Sequence, residues 1–188
     1  MSESILINLA RKSIEEVLQA ERLIDVTSHI EDHPELAKKY ATFVNLYQDS
    51  VLQASYGSLH PHKSLIEDII YNAKFAAFED ATMAPLTTSK YLHCEIEVSI
   101  LSELQELSFE TLEDLLSQIE MGVHGLTIVV NNRAATLMPY YWKEHSSKED
   151  FLNKLLSEFN WKAETISPEL KVYIYSVQSA RDKAILKP

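Results

Sequence analysis

ATFVNLYQDSVLQASYG, residues 41–57, decides the fold class of this chain of 188 residues. Two runs rich in β-branched and aromatic residues flank the polar residues QDS, and this pattern is typical of a β-hairpin. In the second run, strand alternation places Gln53, Ser55 and Gly57 on one face. The alternate positions point the other way and are Leu52, Ala54 and Tyr56. We therefore expect an antiparallel sheet with one polar face.

Helical patterns surround this hairpin. Apolar residues at helical spacing predict an amphipathic helix over about the first 25 residues, before Pro34. Ser64 and Glu67 form a capping box at the start of a second helix. The apolar stripe of that helix consists of Leu65, Ile66, Ile69, Ile70, Ala73 and Ala77. After it, HCEIEVSIL alternates as a strand does, with these residues on the core side: Cys94, Ile96, Val98 and Ile100.

The second half of the chain shows the same order of patterns. TLEDLLSQIEMG predicts a helix followed by Gly122, and GLTIVV and AATLMPYYW predict two strands around an Asn-Asn turn. Ser147 and Asp150 cap a further helix, and LKVYIYSVQ predicts the last strand. Helix, hairpin, helix and strand thus occur twice, in repeats at about 1–104 and 105–188 of one domain. This order favours an α+β fold of two subdomains, with flanking helices and a mainly antiparallel sheet for which a barrel-like form is one option.

Composition excludes several classes of function. The 17 basic and 28 acidic residues give a net charge of −11, which disfavours nucleic acid and anionic membranes as partners. No apolar run is long enough to span a bilayer and the N-terminus is unlike a secretory signal, so we expect a cytoplasmic protein. With three glycines, only two of them close together, the chain lacks the glycine-rich loops of nucleotide-binding folds. A single cysteine excludes an internal disulfide.

Histidines supply the remaining candidates. His60 and His62 have a spacing that can chelate a metal from an extended segment, and His29 and His33 share a helical face, but exposed loops and helix ends carry such pairs equally well. His124, between two glycines, has either a structural role or that of an acid or base. We therefore predict no metal site and no cofactor.

The chain resembles the AMMECR-one domain family, also called AmmeMemoRadiSam system protein A. The resemblance runs from about Ala41 to Phe159 through blocks in the same order: ATFVNLY, LQASYGSL, NAKFAAFED, EIEVSIL, GVHGLTIVVNN, LMPYYW and FLNKLL. It implies a mixed fold of two subdomains with an internal duplication. It also implies a genomic association with a Memo-like protein and a radical SAM enzyme, but no established activity.

The family's hallmark run, Leu-Arg-Gly-Cys-Ile-Gly, falls on Leu52–Gly57, which reads LQASYG here. Gln53 stands in place of the arginine and Ser55 in place of the cysteine, so the cation and the thiol that it would activate are both missing. A second family run, Asp-Pro-Arg-Phe, reads DATM and keeps only Asp80. These departures favour a binding module with an altered site over an enzyme.

We place the binding site in a cleft between the subdomains. Its candidate residues are Gln53, Ser55, Gly57, Asp80, Glu97, Ser99 and His124. The Memo-like protein, the radical SAM protein or a small ligand is the expected partner. The rival hypothesis is an enzyme with His124 as general base, oriented by Glu97 or Asp80, and catalytic residues otherwise unknown.

Overall fold

The computed structural model describes residues 2–80, 84–163 and 170–186. It divides the chain into two compact units, the first comprising Met1–Leu101 with Gln178–Pro188 and the second Ser102–Val177. The predicted second repeat runs from about 105 to 188, whereas the structure places residues 178–186 of it in the first unit.

The first unit is a helix-backed antiparallel sheet. Its elements are α1 (Glu3–Gln19), α2 (Val26–Asp32), a 3-10 helix (Pro34–Ala37), β1 (Ala41–Gln48), β2 (Val51–Gly57), α3 (Leu65–Phe78), α4 (Thr88–Leu92) and β3 (Cys94–Leu101). β1 pairs with β2 on one side and with β3 on the other, both antiparallel. Asp49 and Ser50 close the hairpin with φ angles of 51° and 63°, as a two-residue turn with left-handed residues requires. The hairpin predicted from residues 41–57 is thus confirmed.

One face of this sheet forms the core of the first unit. Val44, Ala54, Ile96 and Val98 are buried in the same apolar cluster as the stripes of α1 and α3. The predicted capping box of α3 is present, since the Glu67 carboxylate accepts a hydrogen bond from the Ser64 amide at 3.2 Å. The opposite face of the sheet carries the polar residues and is described below.

The first helix is shorter than the predicted 25 residues. It ends at Gln19, where Ala20 takes a left-handed conformation with a φ of 53°. The Glu16 carboxylate then accepts hydrogen bonds from the amides of Leu23 and Ile24, both at 2.9 Å. In a continuing helix, backbone carbonyls would accept hydrogen bonds from these two amides. The Glu16 carboxylate accepts them instead, so the helix ends here.

The second unit also combines helices with an antiparallel sheet, and it begins with a strand that has no counterpart among the described residues of the first unit. Its elements are β4 (Gln105–Leu107), α5 (Leu112–Ser117), β5 (His124–Val130), β6 (Arg133–Leu137), a 3-10 helix (Pro139–Glu144), α6 (Lys148–Ser157) and β7 (Lys171–Arg181), of which the last four residues belong to the first unit. β5 pairs antiparallel with β6 and β7, and β4 pairs antiparallel with β7. Asn131 and Asn132, with φ angles of 48° and 64°, form the predicted turn.

The strand predicted for residues 134–142 is wrong at its end. β6 stops at Leu137, and Pro139 begins a 3-10 helix. Proline lacks the amide that a sheet ladder needs and is favoured in a first helical turn. Trp142 from this helix stacks on Phe151 of α6 at a ring-centroid distance of 3.8 Å, in the core of the second unit.

Each unit therefore contains a helix, a hairpin, a helix and a strand, and the predicted α+β class with antiparallel pairing is confirmed. Among the residues that the structure describes, no helix has the length and apolar character needed to cross a membrane.

Candidate binding site on the sheet of the first unit

Three polar side chains stand in register across the first sheet. Ser55 of β2 lies opposite Asn45 of β1, and Asn45 lies opposite Glu97 of β3. Residues paired in this way project from the same face of a sheet. With strands about 4.8 Å apart, the three residues span about 10 Å across the face.

These side chains form a directed chain of hydrogen bonds. The Ser55 hydroxyl donates to Asn45 Oδ1 at 2.6 Å, and Asn45 Nδ2 donates to Glu97 Oε1 at 2.8 Å. The Tyr47 hydroxyl also donates to Glu97 Oε1, at 3.3 Å. We call Ser55, Asn45, Tyr47 and Glu97 the polar row. All its donors lead towards one carboxylate oxygen, which fixes the orientation of the Glu97 side chain.

Burial differs along the polar row. Asn45 and Tyr47 are only 9% and 5% exposed, whereas Ser55 is exposed and Glu97 is half-buried. The Ser55 hydroxyl donates its hydrogen to Asn45, and the lone pairs of its oxygen can still accept a hydrogen bond. Glu97 Oε2 accepts no hydrogen bond from any side chain or amide in the described parts of the chain. The polar row therefore offers hydrogen-bond acceptors to a ligand, at both of its ends.

An arginine beside the polar row pairs with another carboxylate. Arg181, in the part of β7 that belongs to the first unit, donates to Glu95 Oε2 from Nε at 3.1 Å and from Nη2 at 2.9 Å. Its guanidinium also lies 3.6 Å from the centroid of the Tyr47 ring. Within the described residues, Glu97 forms no ion pair. The charge of this carboxylate is thus left without a partner on the sheet.

The neighbouring rung of the sheet is closed by packing. Phe43 lies opposite both Gly57 and Ser99. A Cβ atom on Gly57 would come within 2.3 Å of the Thr42 carbonyl oxygen and 2.4 Å of the Phe43 ring, so glycine is the residue that fits. Ser99 is 2% exposed and its hydroxyl is hydrogen-bonded to that of Ser179 at 2.8 Å. Of the predicted site residues, Gly57 and Ser99 thus lie beside the polar row as packed neighbours.

A β-bulge changes the predicted faces of β2. The register shifts by one residue, so that Tyr47 pairs with Leu52 while Leu46 pairs with Ala54, and Gln53 is the extra residue. The prediction that Leu52 shares a face with Ala54 and Tyr56 is therefore wrong, because the bulge turns Leu52 to the side of Tyr47 and leaves it 44% exposed. Gln53 is exposed, and its side-chain amide donates to the Val51 carbonyl at 3.2 Å.

Two predicted site residues lie elsewhere in the chain. Asp80 follows the last turn of α3, and the rest of the DATM run, residues 81–83, lies outside the described residues. His124 begins β5 in the second unit, where its Nδ1 accepts a hydrogen bond from the Glu120 amide at 3.0 Å. The neutral ring then carries its proton on Nε2, which donates rather than accepts. The base role of His124 and the cleft between the subdomains stay predictions.

Two further features of the sequence are the histidine pairs and the single cysteine. Among the described residues, no three or more histidine, cysteine or acidic side chains lie close enough together to hold a metal ion. The rings of His60 and His62 lie 5.8 Å apart, and Nδ1 of His29 donates to the Asp25 carbonyl at 2.7 Å. Cys94 is buried, as predicted, and burial raises the pKa of its thiol to about 11.

The sequence-based site missed Asn45 and Tyr47, the two residues that connect the polar row. Their signal was the alternation in ATFVNLY, which puts Phe43, Asn45 and Tyr47 on the face opposite Val44 and Leu46. Asn45, a polar residue in the middle of a β-rich run, indicates a polar face. Its register with Ser55 and Glu97 lets it hydrogen-bond to both.

Comparisons with known proteins identify the family. A model of the AMMECR1 family matches residues 7–180. The chain is 28% identical over 187 residues to a protein of Caldivirga maquilingensis, covering 95% of this chain and 84% of that protein. It is 30% identical over 152 residues to a protein of Thermoplasma acidophilum, covering 79% and 71%. The crystal structure of an uncharacterised protein from Pyrococcus horikoshii shares the fold, with a TM-score of 0.82 at 23% identity over 98% of this chain and 93% of that one. The protein belongs to the AMMECR1 family.

Proposed function

We propose that this protein is a non-catalytic binding module, and that its binding surface is the polar face of the first sheet around the polar row. The observation that carries the proposal is the direction of the hydrogen bonds from Ser55 through Asn45 to Glu97. They fix the side chains in place while leaving acceptor atoms accessible at both ends of the row. A surface prepared in this way recognises donor groups at little entropic cost.

The same hydrogen bonds argue against nucleophilic catalysis at Ser55. A serine nucleophile needs a base to take its proton, and the Ser55 proton is directed at the amide oxygen of Asn45, which does not act as a base. The sole cysteine is held in the core with a raised pKa, so it supplies no thiolate to this face. These residues suit recognition better than bond cleavage.

The partner proposed from the family resemblance is a Memo-like protein, with a radical SAM protein as the other member of the system. The test measures the affinity of the Memo-like protein from the same genome by isothermal titration calorimetry. Ser55→Trp places an indole on the polar row, and we expect it to abolish binding. Ser117→Trp, at an exposed serine of α5 in the second unit, is the matched control and should bind like the wild type.

Equal affinity of the wild type and Ser55→Trp would remove the polar face from the interaction. If the wild type does not bind the Memo-like protein, that partner is excluded, and the same pair of variants is compared for the radical SAM protein.

A further inference from the structure

The polar row leaves a specific set of atoms for a ligand. Its open acceptors are Ser55 Oγ and Glu97 Oε2, while the hydroxyls of Ser55 and Tyr47 and one N–H of Asn45 point inwards along the row. The second N–H of Asn45 belongs to a residue that is only 9% exposed. A ligand that itself offers acceptors, such as a phosphate or a carboxylate, would meet lone pairs and a negative charge. The ligand must therefore supply N–H or O–H donors.

The charge balance of the face further narrows the class of ligand. Glu95 is paired with Arg181, whose guanidinium also lies over the Tyr47 ring, and no ion pair joins Arg181 to Glu97. Glu97 remains as a half-buried carboxylate without a cation from the described residues. A cationic ligand would compensate this charge in a partly desolvated setting, where an ion pair is stronger than in bulk water.

The geometry of the carboxylate distinguishes between two kinds of cation. Glu97 Oε1 already accepts hydrogen bonds from Asn45 and Tyr47, which leaves Oε2 as its open oxygen. A guanidinium binds a carboxylate best through two parallel hydrogen bonds, one to each oxygen. An ammonium group is a compact charge that needs one oxygen and can direct its other donors elsewhere.

We propose that the polar row is a recognition site for a primary ammonium group, held by Glu97 Oε2, a proposal that rests on the proposed function of this face. The ammonium is that of a lysine side chain on a protein partner or of a free amine, and the two share the chemistry that the site recognises. The site binds the ammonium in preference to a guanidinium, and it does not bind neutral or anionic groups of the same length.

The test titrates the full chain with three small amides while recording two-dimensional amide spectra. Nα-acetyl-lysine amide carries the ammonium, Nα-acetyl-arginine amide carries a guanidinium, and Nα-acetyl-norleucine amide is the neutral control. We expect saturable shifts of the Asn45 side-chain amide and of the backbone amides of Ser55 and Glu97 with the lysine compound. The arginine compound should bind more weakly, and the norleucine compound should leave these signals unchanged.

Glu97→Gln removes the charge but keeps the oxygen that accepts from Asn45 and Tyr47, so the fold and the row persist. We expect it to raise the dissociation constant of the lysine compound about tenfold or more, as loss of a charge-assisted hydrogen bond does. Glu106→Gln is the control for a charge change on a strand, because Glu106 is an exposed glutamate in β4 of the second unit, where it pairs with Lys171. It should leave the affinity unchanged.

The outcomes separate this inference from the proposed function. If the lysine compound causes no saturable shift at the row, or binds Glu97→Gln as tightly as wild type, ammonium recognition is wrong, even where Ser55→Trp abolishes binding of the Memo-like protein. If Ser55→Trp binds that protein normally while the lysine compound still shifts the row, the ammonium site stands and the partner surface is wrong. Displacement of the partner by the lysine compound assigns the ammonium to a lysine of the partner. Binding without displacement assigns it to a free amine, and both results support the site.

Discussion

Replacing Gly57 by alanine tests how tightly the hairpin is built beside the polar row. The added Cβ would lie 2.3 Å from the Thr42 carbonyl oxygen and 2.4 Å from Cγ of the Phe43 ring. Ordinary contacts are about 3.5 Å, so both neighbours must move by about 1 Å. Rotating the ring does not help, because Cγ lies on the rotation axis. The Thr42 carbonyl is also held, since it accepts hydrogen bonds from the Ser58 amide and from the Asn72 side chain, both at 3.1 Å.

The expected cost follows from this lack of freedom. Adding a methyl group to a packed site costs about 1 to 3 kcal/mol, and we expect Gly57→Ala to reach about 3 kcal/mol because backbone rather than a flexible side chain must yield. Gly122→Ala is the matched control. A Cβ there meets nothing within 4 Å, and the change costs only the strain of a left-handed alanine at a φ of 79°, about 1 kcal/mol.

The assay is urea unfolding followed by far-ultraviolet circular dichroism, with hydrogen exchange of the peptide covering β1 and β2. Gly57→Ala should lower the free energy of unfolding by about 2 kcal/mol more than Gly122→Ala, and should speed exchange in the hairpin. Equal losses in the two variants, or unchanged exchange in the hairpin, would show that the close approach of Phe43 to Gly57 does not constrain the strand.

Three further predictions concern single side chains. The Cys94 thiol, whose pKa burial raises to about 11, should not react with a thiol reagent at neutral pH until urea unfolds the chain, and fast reaction of the folded protein would contradict its burial. Burial opposes ionisation of Glu16, but hydrogen bonds from Lys74 and from two backbone amides outweigh it and lower its pKa, so its contribution to stability is present at neutral pH and lost as pH falls through the folded pKa. Glu16→Gln should therefore be less stable than wild type at neutral pH, with a gap in urea midpoint that shrinks in acid; a constant gap would refute this reasoning. Gln53→Arg adds a cation to β2 and should weaken binding of Nα-acetyl-lysine amide at low salt, where charges are least screened. Gln53→Met, which adds no charge, should bind like the wild type. Equal affinities of the two variants would show that a charge at position 53 does not affect binding at Glu97.

Much of the fold could be predicted because its signals are local. The capping box at Ser64, the left-handed pair Asn131 and Asn132, and the alternation from Cys94 to Val98 each depend on neighbours within a few residues. Such short-range chemistry acts in the same way wherever the segment lies in the fold. The elements predicted from these signals are present, whereas residues 139–142, predicted as strand, form part of a 3-10 helix, and β4 and α4 are elements that the patterns did not predict.

The errors come from partners distant in sequence. α1 ends early because Glu16 captures the amides of Leu23 and Ile24, an alternative that helical periodicity does not encode. The bulge at Gln53 is a property of the pairing between β1 and β2, and it decides on which side Leu52 projects. The polar row was only half predicted for the same reason. Ser55 and Glu97 were named, but Asn45 connects them only through the register of three strands.

The family signature and this chain differ in charge at Gln53. The family resemblance implies an arginine at the position of Gln53, the extra residue of the β-bulge in β2. With glutamine at this position, β2 carries one positive charge fewer than the family signature implies, while the carboxylate of Glu97 remains. Burying part of a carboxylate without a partner costs free energy. Arg181 does not pair with Glu97, since it donates its hydrogen bonds to Glu95. If the cation no longer comes from the chain, a ligand that carries one can supply it. The ammonium group proposed above is such a ligand, and its titration tests whether an external cation pairs with Glu97.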